Sequence, residues 1–355
     1  MKVVRTVAGD IPIDSMGITL SHEHVIVDGS QWMVDPETEE HLELWSKDPA
    51  LEDLWWLRQW PNTSKTNYLL NDFDLAVQEL RYFVELGGST LIDMTCSAAM
   101  GRDVEALRRI SNICGINIVA GCGYYVDATH SPEVSNSTVK ELASLLVDEI
   151  RIGVGGTGIR AGVIGEIGVS HPITSGETKC LQAATIAQQE TGASITVHTA
   201  CDVLDARSAL DAAFILRESG ADLSRVIMGH VDTFSHDKDY LIEIMETGCG
   251  IAFDLFGNET FHNEYAFAIP GDSEKIRAVV ALCEENYSES IFLSHDTAMK
   301  IQLRKYGGYG YGHILRNIVP RLKLHGLDDA KINQMLVENP RKMFCVNSNS
   351  ASNLS

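Results

Sequence analysis

Short apolar runs rich in β-branched residues alternate along this chain with stretches whose apolar residues return every three or four positions. Residues 90–95 (TLIDMT), 116–122 (INIVAGC) and 251–256 (IAFDLF) read as strands buried on both faces, since they are continuous and bounded by glycine. Five further runs, 18–21, 161–165, 194–197, 225–229 and 291–295, each lead into a histidine or a carboxylate. Helical spacing appears between the strands, over 74–86, 139–152, 178–189, 204–218, 240–245 and 273–284. In 74–86 (DLAVQELRYFVEL), Leu75, Leu80, Phe83 and Val84 gather near one face, and Gly87-Gly88 ends the helix. Eight such units predict an α/β fold, a single closed (β/α)8 TIM barrel over 1–346, with a polar flexible tail over 347–355 (NSNSASNLS). An open doubly wound sheet is the competing fold, but it gathers its functional groups at one switch point. Here they come from strands one, four, five, six and eight.

Spacing refines this picture. Glu166, His198 and His230 are each 32 residues apart, the pitch of one strand and helix unit, so they stand at equivalent heights on neighbouring strands. The first connection is the exception, with about 50 residues between His24 and the helix near Asp74, far beyond an ordinary loop. It holds all five tryptophans, Trp32, Trp45, Trp55, Trp56 and Trp60, and an acidic stretch over 35–43. These aromatics are expected to tie the excursion to the barrel or to bury a subunit interface, with a wall of the substrate pocket as the second reading. Residues 305–313 (KYGGYGYGH) are too rich in glycine for a helix and read as a loop beside the site.

Composition narrows the partners. A net charge of −21 repels nucleic acid and anionic membrane surfaces, leaving a small-molecule substrate as the expected partner and a homodimer as an option. Residues 1–10 lack the apolar core of a secretory signal, and no run approaches the roughly 20 apolar residues of a membrane span, so the expected setting is cytoplasmic. Eight cysteines without a CxxC pair read as buried reduced thiols.

The candidate chemistry lies at the strand ends. His22 and His24 share one face of a strand while Glu23 faces the other way, which makes Glu23 a poor ligand. Together with Glu166, His198, His230 and Asp296 they form a nitrogen and oxygen donor set suited to Zn²⁺, Mn²⁺, Co²⁺ or Fe²⁺. Six donors exceed one ordinary zinc, whereas two ions about 3.5 Å apart share them, with Glu166 as the bridging carboxylate. Asp254 could hydrogen-bond a ligand histidine from behind. Lys275, Arg277 and Arg304 are the cations near the loops after strands seven and eight, read either as an anion clamp or as a solvated helix face. His171 and His130 fall on loops where they could touch substrate or face solvent.

The segments LSHEHV, GVIGEIG, ITVHTA, IMGHVD and LSHD resemble the phosphotriesterase family of the amidohydrolase superfamily. The likeness runs from residues 4–7, similar to that family's N-terminal hairpin, to 338–341 (ENPR). Residues 123–131, 253–257 and 305–315 are closest to its phosphotriesterase-related branch. The resemblance implies that His22, His24 and Asp296 hold the more buried metal and His198 and His230 the more exposed one. Members that degrade organophosphates use a carboxylated lysine on strand four; Glu166 replaces it here, as in the related branch. Two cations acting on one water would supply hydroxide near neutral pH. The family likeness then makes Asp296 the proton acceptor, with His230 helping to polarise the scissile oxygen and Tyr125, rather than Tyr124, reaching the reacting centre.

The expected activity is metal-dependent hydrolysis of a small carboxylic amide, of the N-acyl amino acid or N-acyltaurine sort, with two divalent ions, zinc first. A lactonase is the alternative. Phosphotriester hydrolysis and a non-catalytic ligand-binding barrel rank below both.

Overall fold

The computed structural model describes residues 2–33, 35, 38–201, 206–262 and 267–348. The eight apolar runs form eight parallel strands: Ile18–Glu23, Gly88–Asp93, Asn117–Cys122, Val163–Gly168, Ile195–His198, Val226–Gly229, Gly250–Phe253 and Ile291–Leu293. They lie side by side in chain order. Hydrogen bonds close the seam between first and eighth strands: Asp296 N donates to His22 O at 3.2 Å, and His22 N to Ser294 Oγ at 3.0 Å.

Side chains alternate between the two faces of each strand, which explains why these runs are apolar throughout. Ile92, Val119, Val163, Ile227 and Phe292 fill the barrel interior together with Val4, Met16 and Phe344, which seal its lower end. Leu91, Ile118, Ile164, Ile195 and Ile291 pack outward against the helices. Burying both faces leaves only the upper rim free to carry polar chemistry.

Helices Phe73–Glu85, Val139–Arg151, Ser175–Thr191, Lys238–Glu246 and Asp272–Glu284 stand where the periodicity placed them; the expected 204–218 helix begins only at Ser208, after Arg207 as its N-cap, and residues 204 and 205 lie outside the described residues. Local capping sets several starts. Asp72 accepts from Leu75 N, and Thr138 with Glu141 and Thr174 with Glu177 form capping boxes. Helix Val104–Cys114 completes the second unit and was not among the expected helices, although Val104, Leu107 and Ile110 bury at helical spacing.

Two regions extend the barrel. Strands Lys2–Thr6, Gly9–Pro12 and Cys345–Asn347 form a small antiparallel sheet in which Lys2 pairs with Asn347. The sheet thus takes in Asn347, the first residue of the expected tail; 349–355 lie outside the described residues. The long excursion is pinched at its neck by Val27–Asp28 pairing with Leu69–Leu70. It is tied to the loops after strands seven and eight, where Phe261 N donates to Arg58 O at 2.8 Å and Ile301 N to Asn67 Oδ1 at 3.1 Å. Trp56 and Trp60 stack at 4.1 Å within it, whereas Trp32 leans on Tyr125 at 5.4 Å. The tryptophans thus divide between tying the excursion together and reaching the barrel mouth. Among the described residues, no helix is long and apolar enough to cross a membrane.

Candidate metal centre

All six expected ligands meet at one rim because each lies in the last residues of a barrel strand or just after it. Glu166 is at the centre. Its Oε1 lies 3.5 Å from His24 Nε2, while its Oε2 lies 3.2 Å from His22 Nε2, 3.3 Å from His198 Nδ1 and 3.7 Å from His230 Nε2. Asp296 Oδ1 is 3.2 Å from His24 Nε2 and 3.6 Å from His22 Nε2. His230 Nε2 and His198 Nδ1 are 2.8 Å apart. The donors of His22, His24 and Asp296 form one cluster capable of holding an ion. Those of His22, Glu166 and His230 form a second, and those of His198, Cys201 and His230 a third.

Buried groups hold these side chains in place. Asp254 Oδ1 accepts from both the backbone and Nδ1 of His230 at 2.9 Å, and its Oδ2 lies 3.0 Å from His22 Nδ1. The contact expected between Asp254 and a ligand histidine is therefore present. Gly229 makes room for this contact, since a Cβ there would lie 3.1 Å from Asp254 Oδ2 and 3.5 Å from His22 Nδ1. His24 Nδ1 meets Thr95 Oγ1 at 2.9 Å, and Tyr311 donates its hydroxyl to His24 O at 2.6 Å. Glu23 faces away from the cluster, as alternation required, and organises the end of strand eight. It accepts from Ser294 Oγ, His295 N, His295 Nδ1 and Thr297 N, bracketing Asp296.

His230 and Asp296 both have left-handed backbones, with φ of 59° and 49°. Such conformations cost about 1–3 kcal/mol each for residues other than glycine and persist where surrounding bonds hold them. Asp254 supplies such a bond at His230 N, and His22 O supplies one at Asp296 N. Each distortion turns a side chain inward at the end of its strand.

Close packing of charge shifts the ionisation of the site. Burial alone would lower the His22 pKa, yet Asp254 and Glu166 push it up to about 10. Burial likewise opposes protonation of His230, and Asp254 again overrides it, holding His230 well above the usual histidine range. Burial would raise Glu166, but His22, His198 and His230 hold it well below the usual carboxylate range.

Residues around the cluster separate the remaining expectations. The Tyr125 hydroxyl is 3.1 Å from His198 Nε2, while Tyr124 donates to Leu142 O at 2.9 Å, away from the cluster. Trp32 Nε1 is buried beside Tyr125 without a hydrogen bond. Lys275 is neither an anion clamp nor part of a solvated face: it is fully buried, with Nζ donating to the carbonyls of Leu255 and Asn258. Burial lowers its pKa, opposed by Asp232. Arg277 faces solvent, and the Arg304 guanidinium stacks 3.6 Å above the Tyr82 ring. His171 is exposed, and His130 donates from Nε2 to Tyr125 O at 2.7 Å, bracing the tyrosine's backbone. Residues 305–313 do form an irregular loop, and its contribution to the site is the buried Tyr311. Cys201 was missed. Its sequence signal is its place three residues after His198, outside any CxxC pair.

The residues fit divalent metals. His22 Nε2 and Glu166 Oε2 are buried without hydrogen bonds and face a cluster of donors, an expensive arrangement unless a cation satisfies them. Imidazoles supported from behind by Asp254 and Thr95 match the usual outer shell of metal-bound histidine.

The phosphotriesterase family model matches residues 2–344. A phosphotriesterase-related protein of Nematostella vectensis is 39% identical over 344 residues, covering 96% of this chain and 97% of its own. The N-acetyltaurine hydrolase of Homo sapiens is 37% identical over 344 residues, with the same two coverages of 96% and 97%. Among solved structures, a resiniferatoxin-binding protein from Rhodobacter sphaeroides superposes with a TM-score of 0.93 at 36% identity, covering 96% of this chain and 94% of that one. Eight parallel strands, a rim of histidines and carboxylates able to bind metal, and matches over nearly the whole length agree: this chain belongs to the phosphotriesterase family and is a metal-dependent hydrolase.

Proposed function

We propose that this enzyme hydrolyses a small carboxylic amide of the N-acyltaurine or N-acyl amino acid type at a centre of two divalent ions, zinc first. His22, His24 and Asp296 would hold the more buried ion, His198 and His230 the more exposed one, and Glu166 would bridge them. One observation carries this reading: Glu166 stands between the two ligand groups, its Oε1 3.5 Å from His24 and its Oε2 3.2 Å from His22, 3.3 Å from His198 and 3.7 Å from His230. When bound, the metals would supply Lewis acidity and a water activated for attack.

The chain's own residues do the rest. Asp296 accepts the proton released on attack and returns it to the departing amine. The Tyr125 hydroxyl faces the scissile oxygen and stabilises the charge that develops on it, while His230, its Nδ1 held by Asp254, acts there through the more exposed ion that its Nε2 would hold. Trp32 Nε1, unbonded beside Tyr125, suits a polar oxygen of the bound substrate. The amide reading also rests on the N-acetyltaurine hydrolase relative. Cysteines outside any disulfide suit a cytoplasmic setting, and the exposed Leu42, Leu51 and Trp55 of the excursion suit a homodimer contact.

The test is a panel of N-acyltaurines, N-acyl amino acids and lactones assayed with metal-loaded enzyme. N-acyl amines should show the higher kcat/KM. A lactone preference of several decades would replace this reading with a lactonase, and no turnover of any member with both metals bound would favour a binding protein.

A further inference from the structure

We infer that Cys201 supplies a thiolate to the more exposed metal position, so that the two positions differ in chemistry and not only in depth. The inference rests on the binuclear reading of the site. The ligand atoms of His198, Cys201 and His230 all lie within 4.8 Å of one another. A tetrahedral ion with nitrogen at about 2.0–2.1 Å and sulfur at about 2.3 Å holds its donors roughly 3.3–3.6 Å apart, a spacing inside the limit that these three donors already meet. A second observation marks the same place: Glu166 Oε2 is buried without a hydrogen bond, 3.3 Å from His198 Nδ1 and 3.7 Å from His230 Nε2.

The approach of Cys201 is built into the fold by the two residues before it. Thr199 donates its hydroxyl to Gly229 O at 2.7 Å, tying the end of strand five to strand six. Ala200 N donates to the fully buried Ser208 Oγ at 2.9 Å. These bonds turn the chain back over the rim directly after His198.

Two imidazoles, one carboxylate oxygen and one thiolate form a set that favours zinc, cobalt or cadmium over manganese or magnesium. The deeper position has only nitrogen and oxygen donors. On binding, the S–H bond of Cys201 breaks, a metal–sulfur bond forms, and the proton passes to the buffer.

The test uses full-length enzyme loaded with zinc, its content measured by elemental analysis, followed by zinc X-ray absorption. The expected result is two zincs per chain with a sulfur scatterer at about 2.3 Å from one of them. Cys201→Ser should abolish that scatterer and weaken retention of the exposed zinc by about tenfold or more, while Cys96→Ser keeps both. Cobalt-loaded wild type should show a near-ultraviolet sulfur-to-metal charge-transfer band that Cys201→Ser lacks. Two zincs without sulfur in the wild type overturn the role of Cys201 and leave the binuclear reading standing. Fewer than two zincs under saturating metal overturn both. The wild-type measurement needs no variant, so a poorly folding mutant does not blunt it.

Discussion

Asp254 grips His230 twice, accepting from its backbone N and its ring Nδ1 through the same oxygen at 2.9 Å, while the other carboxylate oxygen reaches His22. One buried carboxylate thus couples a candidate ligand of each metal position. Replacing it with asparagine keeps the shape but removes the charge that supports both imidazoles. Asp254→Asn should weaken metal retention by about 10–100-fold in chelator competition. Unchanged retention would show that the contact serves folding alone.

Glu166 already carries the carboxylate that a lysine would have to obtain from CO₂. Metal-free enzyme should therefore regain activity at the same rate and to the same extent with or without added bicarbonate. Stimulation by bicarbonate would contradict a bridging role for Glu166.

Asp296 combines a left-handed backbone with a side chain aimed at His24 and His22. Asp296→Asn should lower kcat by about 10²–10⁴-fold, the usual scale for losing a positioned proton acceptor, with a smaller effect on KM. Steady-state kinetics on variant protein of confirmed metal content checks this.

The metal-free and metal-bound forms should respond to pH in opposite senses. In the metal-free fold, burial lowers the His22 pKa but Asp254 and Glu166 raise it to about 10. The resulting stability is complete below the unfolded histidine value of about 6.5 and is lost as pH rises to about 10. A metal must expel that proton, so metal affinity should climb over the same window, by about tenfold per pH unit for each proton released. Calorimetry of metal binding in buffers of different ionisation enthalpy counts the protons; a count of zero would refute the coupling.

Glu23 is buried and accepts four hydrogen bonds from residues 294–297. Glu23→Ala leaves those donors unmatched and should cost about 3–5 kcal/mol in urea unfolding, with Asp296 mispositioned as well. A loss below about 1 kcal/mol would mean that the strand-eight end holds itself.

Local pattern carries much of this protein. Strand and helix periods, glycine stops and capping pairs depend on neighbours a few residues away, so the eight units and the strand-end position of His22, His24, Glu166, His198, His230 and Asp296 could be read from the chain. Alternation alone also turned Glu23 away from the site. What Glu23 does there, like the contact between Asp254 and His22, needed the barrel to close, because the partners are more than 200 residues apart. Lys275 shows the limit most plainly. Its helix carries charge on its surface, but only packing against the loop after strand seven reveals a buried ammonium holding two carbonyls. Cys201 and Trp32 belong to the same class: spacing places them on loops, and loop direction is set by tertiary bonds such as Ala200 N to Ser208 Oγ. The sequence alone determined that metal chemistry sits on a barrel rim; the folded chain decided which oxygens, rings and sulfur surround it, because those contacts exist only once distant segments share one core.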